Sequence, residues 1–247
     1  MRDLVLYEEP ALYEAAFAWR DCQGEVAWLL ELFDILASGG CQAVLECACG
    51  SAPHAPGFVA RGMSYHGFDE ATAMLAYAQR RTPEAQLQQA VFTPSNLPRV
   101  DLACCLLGSL YLKSAAELKQ HLDRLAAAVR PGGLYILDWC MLWDEPTAHQ
   151  DLWLASYAGR PIKVCYDMSA VENDGLVTER LWIGGDDFQA SGTTRQYPFS
   201  VGHFHDRVAA HADWEWAGAW NDWDLSAPLP AHDCAEVVRP VTALRRR

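Results

Sequence analysis

The sequence predicts an α/β fold, namely a doubly wound, mostly parallel sheet with a smaller antiparallel β cap inserted towards its C-terminal end. Two observations support this prediction. Strand and helix patterns alternate to about residue 140, as expected of parallel strands that need long crossover connections. From about residue 141 to 201, extended segments follow one another across short turns, which is typical of antiparallel strands.

Apolar side chains at helical or alternating spacing define the elements of the first part, and turn residues separate them. In chain order, we expect a helix at about 7 to 37, a strand at 43 to 48, a helix at 55 to 61, a strand ending at Phe68, a helix at 71 to 81, a strand at 87 to 92 and a strand within 100 to 110.

The next helix has an explicit start signal. Ser114 and Glu117 form a capping box, in which each side chain satisfies a free amide of the first turn. The turn Arg130-Pro-Gly-Gly133 ends this helix and leads into LYILDWC, a central strand by composition.

The remaining elements complete a predicted main sheet of seven strands. They are extended segments at 162 to 183 and 188 to 201 in the cap, a short helix at 204 to 211, a Trp-rich strand at 214 to 220 and a last strand at 235 to 244. The predicted domains are an N-terminal helical and aromatic cap at 1–40, a cofactor-binding domain at 41–140 and 202–247, and the inserted β cap at 141–201.

Charge and composition limit the function classes. The 247-residue chain has a formal charge of −13, which repels both a nucleic-acid backbone and an anionic membrane surface. Its 51% apolar content is ample for a packed core. No apolar run approaches the ~20 residues that span a bilayer, and the acidic N-terminal segment differs from a signal peptide. We therefore expect a cytoplasmic protein that acts on a small molecule.

No metal site is expected. The nine cysteines are odd in number and form no C-x-x-C pair, so buried, reduced thiols are favoured over structural zinc. His203 and His205 are two residues apart, so on a strand both would face the same side and could bind a metal ion. However, no third ligand has a fixed spacing from them. A solvated strand end is the favoured interpretation.

The segment from Val44 to Asp69 carries the main functional signal. It consists of a buried strand, a turn containing Gly50, a short helix and a second strand that ends in a carboxylate. In doubly wound domains, an acidic side chain at that place accepts hydrogen bonds from ribose hydroxyls. A nicotinamide dinucleotide is disfavoured, because CGSAPH replaces the glycine fingerprint and Pro53 removes an amide.

Four motifs in order resemble those of class I S-adenosylmethionine-dependent methyltransferases, in particular the bacterial small-molecule branch. They are YEEPALYEAAFAWRD, LECACGSAPHA, GFDEATAMLAYA and VRPGGLYILD. The resemblance covers the core from about residue 40 to 140 and, more loosely, both ends. It implies a Rossmann-like fold and S-adenosyl-L-methionine as the cofactor.

The resemblance also implies which residues bind that cofactor. Asp69 would accept from both ribose hydroxyls, Glu46 would meet the ammonium group, and Arg20 would meet the carboxylate. The full set is Tyr13, Trp19, Arg20, Glu46, Ala48, Gly50, Asp69 and Glu70, with Met74, Phe92 and Leu107 around the adenine. Tyr7, Tyr13 and Trp19 are expected either to line the methyl-transfer chamber or to pack on the first helix.

The sequence departs from the family pattern in two places. Ala48 and Ala52 replace glycines, which we expect to require negative φ angles. Val91 stands near the end of the third strand, where the family often has an acidic residue, so the adenine amino group would need a backbone carbonyl.

A sulfonium methyl is already activated, so a strong catalytic base is optional. Four side chains are candidate proton acceptors: Tyr13, His54, Tyr166 and His203. His54 is more readily interpreted as a helix cap or a packing residue. Of the tryptophans near the C-terminal end, Trp214 and Trp216 are expected in the sheet, whereas Trp220 and Trp223 would face outward and could form a cation cage.

The predicted activity is methyl transfer to a small-molecule amine, hydroxyl or carboxylate. Two alternatives stay open: ring closure on the aminobutyrate arm of the cofactor with release of methylthioadenosine, and a noncatalytic binding subunit. Residues 141–201 contain no motif that identifies an acceptor. A homodimer is a further expectation, because a long antiparallel insert can act as an interface as well as a lid.

Overall fold

The structure is a computed structural model that describes residues 2–247. Its strands are β1 (Arg2–Val5), β2 (Ala43–Cys47), β3 (Ser64–Asp69), β4 (Gln86–Gln89), β5 (Val100–Cys105), β6 (Val129–Asp138), β7 (His149–Tyr157), β8 (Arg160–Met168), β9 (Val177–Gly184), β10 (Phe188–Gln196), β11 (Trp214–Asn221) and β12 (Pro240–Arg246). Its α-helices are α1 (Pro10–Ala16), α2 (Cys22–Leu36), α3 (Ala55–Val59), α4 (Thr72–Arg81), α5 (Ala115–Ala128) and α6 (Val201–Ala209).

The main sheet has seven strands in the order β11-β12-β6-β5-β2-β3-β4. The strands from β2 to β6 pair in parallel, whereas β12 and β11 are antiparallel additions at one edge. This arrangement confirms the predicted α/β class with a mostly parallel, Rossmann-like sheet. All carboxyl ends of the parallel strands therefore meet at one edge, which is where such sheets bind ligands.

A second sheet has the order β1-β10-β9-β8-β7. Four of its strands are the antiparallel insert, and connections at residues 158–159, 169–176 and 185–187 join them. Its fifth strand, β1, comes from the N-terminal segment and pairs in parallel with β10. The N-terminal segment thus belongs to the second sheet as well, which the sequence did not indicate.

The helix predicted from residue 7 to 37 was wrong as a single element. A short 3-10 turn precedes α1, and residues 17–21 separate α1 from α2. The physical reason is Asp21, whose side chain accepts from the Gly24 amide at 3.0 Å and starts a new helix.

The strand end expected at His203 and His205 was also wrong. The Ser200 side chain caps α6 by accepting from the His203 amide, so both histidines lie on a helix.

The capping box at the start of α5 is present. The Ser114 hydroxyl accepts from the Glu117 amide at 3.2 Å, while the Glu117 carboxylate reaches the Lys113 amide at 2.7 Å. Residues 130–133, expected as a turn after α5, instead belong to β6, whose pairing with β5 is irregular there. A side chain at Gly133 would lie 2.4 Å from the Asp101 carbonyl, so only glycine fits this close approach.

Alternate residues of the main sheet face two apolar layers. Leu45 and Tyr135 face the side of α5, whereas Val44 and Ile136 face the side of α2. A third apolar cluster joins α1 to the inner face of the second sheet. Within residues 2–247, no helix combines the length and apolar character needed to cross a membrane. All nine cysteines are free thiols.

His121 on α5 is a buried polar residue that joins the helix to the sheet. Its Nε2 lies 2.7 Å from the Tyr135 hydroxyl, and its Nδ1 contacts the Thr93 hydroxyl. Burial, reinforced by the nearby Arg124 guanidinium, lowers the pKa of His121 to about 3. The imidazole is therefore neutral in the folded protein at ordinary pH.

We predict that His121→Gln makes the protein less sensitive to acid. An unfolded histidine takes up a proton below about pH 6.5, which the folded His121 does not until about pH 3. The free energy of unfolding of the wild type should therefore fall as the pH decreases through this window, by up to about 1.4 kcal/mol per pH unit from this group. Urea unfolding at several pH values measures the slope.

The slope of His121→Gln should be shallower, because glutamine keeps hydrogen-bonding capacity without titrating. His232→Gln, at an exposed position, is the matched control and should retain the wild-type slope. A His121→Gln slope equal to the wild type would contradict the prediction.

Candidate functional site

The loop between β2 and α3 turns through three left-handed residues, Ala48, Gly50 and Ala52, with φ of 50°, 54° and 48°. The expectation that both alanines need negative φ was wrong. Such a conformation costs an alanine roughly 1–2 kcal/mol, and local hydrogen bonds offset it. The Cys49 amide donates to the Phe68 carbonyl at 3.0 Å, and the Ala52 amide donates to the Cys49 carbonyl at 2.8 Å.

Asp69 at the end of β3 fastens this loop. One carboxylate oxygen accepts from the Gly50 amide and the other from the Ala71 amide, each at 2.8 Å. Burial raises the pKa of Asp69, against the effect of these backbone hydrogen bonds. A Cβ at Gly50 would meet no atom within 4 Å, so the backbone borders open space there. A ligand can approach both Gly50 and the remaining lone pairs of Asp69.

A cavity of about 870 Å³ lies at the carboxyl ends of the parallel strands. It extends from Asp69 to the N-terminal segment and to β10 of the second sheet, where Thr193 and Thr194 border it. Of the residues predicted to bind a cofactor, those that line it are Tyr13, Arg20, Glu46, Ala48, Gly50, Asp69, Glu70, Met74, Phe92 and Leu107. Their individual roles stay predictions.

Trp19 is the predicted cofactor residue that the structure does not bring to the cavity. Its side chain is half exposed and lies over the Arg239 guanidinium, 5.7 Å from the ring centre. Val91, expected at the edge of the adenine site, is exposed but does border the cavity.

Of the four candidate proton acceptors, Tyr13 lines the cavity and the other three do not. His54 is enclosed by Glu25 and Glu46, and it makes no side-chain helix cap. His203 on α6 packs against Tyr197 and Phe199. Tyr166 lies on β8, beside His149, at a ring distance of 5.7 Å.

Phenol groups surround the end of the cavity that faces the second sheet. Tyr7 and Tyr13 come from the N-terminal segment, and Tyr111 follows β5. Burial raises the pKa of all three, and that of Tyr13 reaches about 12 although Arg20 opposes the shift. The phenols are therefore neutral hydrogen-bond donors. Tyr111 was missed in the sequence, although its place after a buried parallel strand is a usable signal.

A network of buried charges lies behind the cavity. Arg239 donates to Glu25 at 2.8 Å and to Asp138 at 2.6 Å, and Arg20 pairs with Glu25 at 2.5 Å. Burial alone would raise the pKa of Glu25, but hydrogen bonds from His54 and Arg20 lower it strongly. Asp138 also accepts from the Leu107 amide at 2.9 Å, next to the cavity. Arg239 has no local signal in the sequence.

The outward orientation expected for Trp220 and Trp223 was wrong. Both rings pack edge-on against Trp28 of α2, with ring centres 6.2 and 5.0 Å away. The Trp223 ring also lies 4.9 Å from the Arg239 guanidinium, so an internal cation occupies that face. Trp214 is fully buried in the sheet, as expected, and donates to the Leu122 carbonyl at 3.0 Å.

Residues 44–133 match the family described as a methyltransferase domain. The chain is 31% identical over 97 residues to dTDP-3-amino-3,6-dideoxy-alpha-D-glucopyranose N,N-dimethyltransferase of Streptomyces fradiae, which covers 38% of each chain. It is 30% identical over 152 residues to glycine N-methyltransferase of Rattus norvegicus, which covers 51% of each. The chain thus spans about half or less of the length of these curated relatives.

Solved structures share the fold over nearly the whole chain. The S-adenosylmethionine-bound amino pentose methyltransferase CalS10 from Micromonospora echinaspora superposes with a TM-score of 0.73 at 20% identity, covering 95% of this chain and 96% of that one. The sugar N-methyltransferase KedS8 from Streptoalloteichus gives a TM-score of 0.72 at 20% identity, covering 95% and 93%. The chain thus contains a segment that matches a methyltransferase domain, and it shares its fold with solved methyltransferases, one of which is bound to S-adenosylmethionine.

Proposed function

We propose that this chain transfers a methyl group from S-adenosylmethionine to the nitrogen of a small amine, with release of S-adenosylhomocysteine. The observation that carries the proposal is one continuous cavity. It joins the loop at residues 48–52, which Asp69 holds, to a chamber under the second sheet that is lined by phenol groups. The relatives named above act on amines by their descriptions, which agrees with this chemistry.

The residues at the loop fit the cofactor part by part. Asp69 keeps acceptor capacity for ribose hydroxyls after bonding two backbone amides. Glu46 and Arg20 lie on the cavity wall with opposite charges, which suits the ammonium and carboxylate of an amino-acid arm. Met74, Phe92 and Leu107 supply apolar surface for the adenine.

When bound, S-adenosylmethionine supplies an electrophilic methyl group on a sulfonium, so the chain's task is to hold a nucleophile in line and exclude water. The neutral phenols of Tyr7, Tyr13 and Tyr111 can donate hydrogen bonds to the acceptor. Their raised pKa values make them poor bases at neutral pH. An amine suits such a site, because a neutral amine is already a good nucleophile. A hydroxyl group must first lose its proton, which requires a stronger base.

We place the proton acceptor for the amine at Glu179 on β9. Glu179 does not itself line the cavity, but it lies directly across from Thr194, which does, and its charge contributes to the raised pKa of Tyr7 and Tyr111 on the cavity wall. Burial raises the pKa of this carboxyl group, although hydrogen bonds from Tyr166 and Gln196 oppose the shift. A carboxylate with a raised pKa binds an ammonium group and takes up its proton more readily than an exposed one.

The proposed activity is tested by incubating the protein with S-adenosylmethionine and an acceptor panel, with product detection by mass spectrometry. The panel comprises nucleotide-linked amino sugars, glycine and the matching hydroxyl compounds. We expect S-adenosylhomocysteine and an acceptor heavier by one or two methyl groups with an amine only. Methylthioadenosine as the product would identify ring closure instead, and no turnover of any compound would contradict the proposal.

An Asp69→Ala change should weaken binding of S-adenosylhomocysteine by ~1–3 kcal/mol, because a buried ribose contact is lost. Isothermal titration calorimetry on the purified variants measures the affinity. Asp34→Asn, an exposed change on α2, is the control and should bind like the wild type. Unchanged affinity in Asp69→Ala would remove the residue from the site.

A Glu179→Gln change should lower kcat about tenfold or more, the usual range for loss of a proton acceptor. Affinity for S-adenosylhomocysteine should stay at the wild-type value, because Glu179 lies on β9 of the second sheet and not on the loop beside Asp69. In the wild type, kcat should fall at low pH as this carboxyl group, which has a raised pKa, becomes protonated. That acid limb of the plot of kcat against pH should disappear in the variant. Asp187→Asn, in the exposed turn before β10, should change neither quantity, and a full acid limb in Glu179→Gln would refute the assignment.

A further inference from the structure

His54 is held between two carboxylates. Its Nδ1 lies 3.0 Å from Glu46, and its Nε2 lies 2.8 Å from Glu25. The ring is 1% exposed, so water does not compete for either nitrogen. The sequence offered only a cap, a packing residue or a base for this position.

The contacts decide the protonation state of the ring. A carboxylate only accepts hydrogen bonds, and a neutral imidazole has one N–H donor. A neutral His54 would therefore turn one bare nitrogen lone pair towards an oxygen of Glu25 or Glu46. With both nitrogens protonated, each contact becomes a charge-assisted hydrogen bond.

The surrounding charges agree with an imidazolium. Burial alone would lower the pKa of His54, but the charge of Glu46 and the hydrogen bonds to the ring raise it well above the ordinary value. The other groups that face the ring are Cys22, whose hydrogen bond acts in the same direction, and the Arg20 guanidinium, which lies 3.1 Å from Nε2 and opposes a proton there. The Glu25 carboxylate lies closer to Nε2, at 2.8 Å, and favours the proton. Three carboxylates of the network (Glu25, Glu46 and Asp138) then balance three cations (His54, Arg20 and Arg239).

A metal ion is a less suitable occupant of this place. Cys22, Glu25 and His54 do bring three donor atoms within 4.8 Å of one another. However, both oxygens of Glu25 already accept from the guanidinium groups of Arg20 and Arg239. The positive charge that Glu25 requires is supplied by side chains.

We propose that His54 is a positioning residue for the amino-acid arm of the cofactor. As an imidazolium, it donates to one oxygen of Glu46 and fixes the side chain at the cavity wall, while the Tyr65 hydroxyl donates to the second oxygen at 2.7 Å. Glu46 then presents its charge to the ammonium group of the arm. This inference rests on the placement of the cofactor in the proposed function. It also removes His54 from the candidate bases, because its protons are committed to two carboxylates.

The protonation state can be read directly in the wild-type protein. NMR of histidine labelled with ¹⁵N should show two N–H groups on the His54 ring at about pH 7 and still at about pH 8.5, where an ordinary histidine is neutral. The resonance is assigned by its absence from His54→Gln. A ring with one bare nitrogen at about pH 7 would overturn the proposal.

The effect on the cofactor is tested with two ligands. S-adenosylhomocysteine has the amino-acid arm, whereas methylthioadenosine has the same nucleoside without it. His54→Gln should weaken S-adenosylhomocysteine about ten- to hundredfold, as expected for a displaced charged hydrogen bond, and should leave methylthioadenosine within about twofold. Glu46→Gln should show the same ligand pattern, and the double variant should lose little more than either single one. His232→Gln is the control.

The outcomes separate the two proposals. If the wild type binds neither ligand, the cofactor placement fails, and the inference about His54 fails with it. If the wild type binds both, and His54→Gln weakens both equally or neither, His54 has only a structural role and the inference alone is overturned. Unfolding of His54→Gln, monitored by circular dichroism, leaves the NMR measurement on the wild type as the deciding result.

Discussion

The salt bridges of Arg239 with Glu25 and Asp138 are the interaction on which the rest of the site depends. Arg239 precedes β12, Glu25 lies on α2 and Asp138 ends β6. In the chain, Arg239 is 214 positions from Glu25 and 101 positions from Asp138. All three side chains are less than 10% exposed. Removing one partner of such a group leaves an uncompensated buried charge, at a cost of roughly 3–5 kcal/mol.

This network is continuous with three walls of the cavity. Asp138 holds the amide of Leu107, where the chain after β5 takes a left-handed turn at φ 55°. Glu25 pairs with Arg20 of the N-terminal segment and with His54 of the loop between β2 and α3. Because ionic hydrogen bonds are directional and strong in a buried site, the three walls are fixed relative to one another. The opposite wall, made by the second sheet, is attached through apolar packing on α1.

Much of the fold could be predicted where the signal was local. The Ser114 cap and the strand that ends at Asp69 both combine a residue type with a specific backbone requirement. The alanines at 48 and 52 show the limit of such reasoning. The loop that contains them is held by hydrogen bonds to Phe68 and Asp69, and these bonds exist only once β2 and β3 are paired.

The sequence by itself determined the sheet class, the order of the motifs and the set of side chains at the strand ends, because periodicity and turn chemistry act over a few residues. Only the tertiary structure decided which of these side chains line the cavity. Tyr111 lines the chamber, whereas Trp19 and His54 do not line the cavity. The N-terminal strand β1 pairs with the second sheet. Contacts across 100 or more residues, such as those of Arg239, leave no local pattern, since their geometry arises only when distant elements pack together.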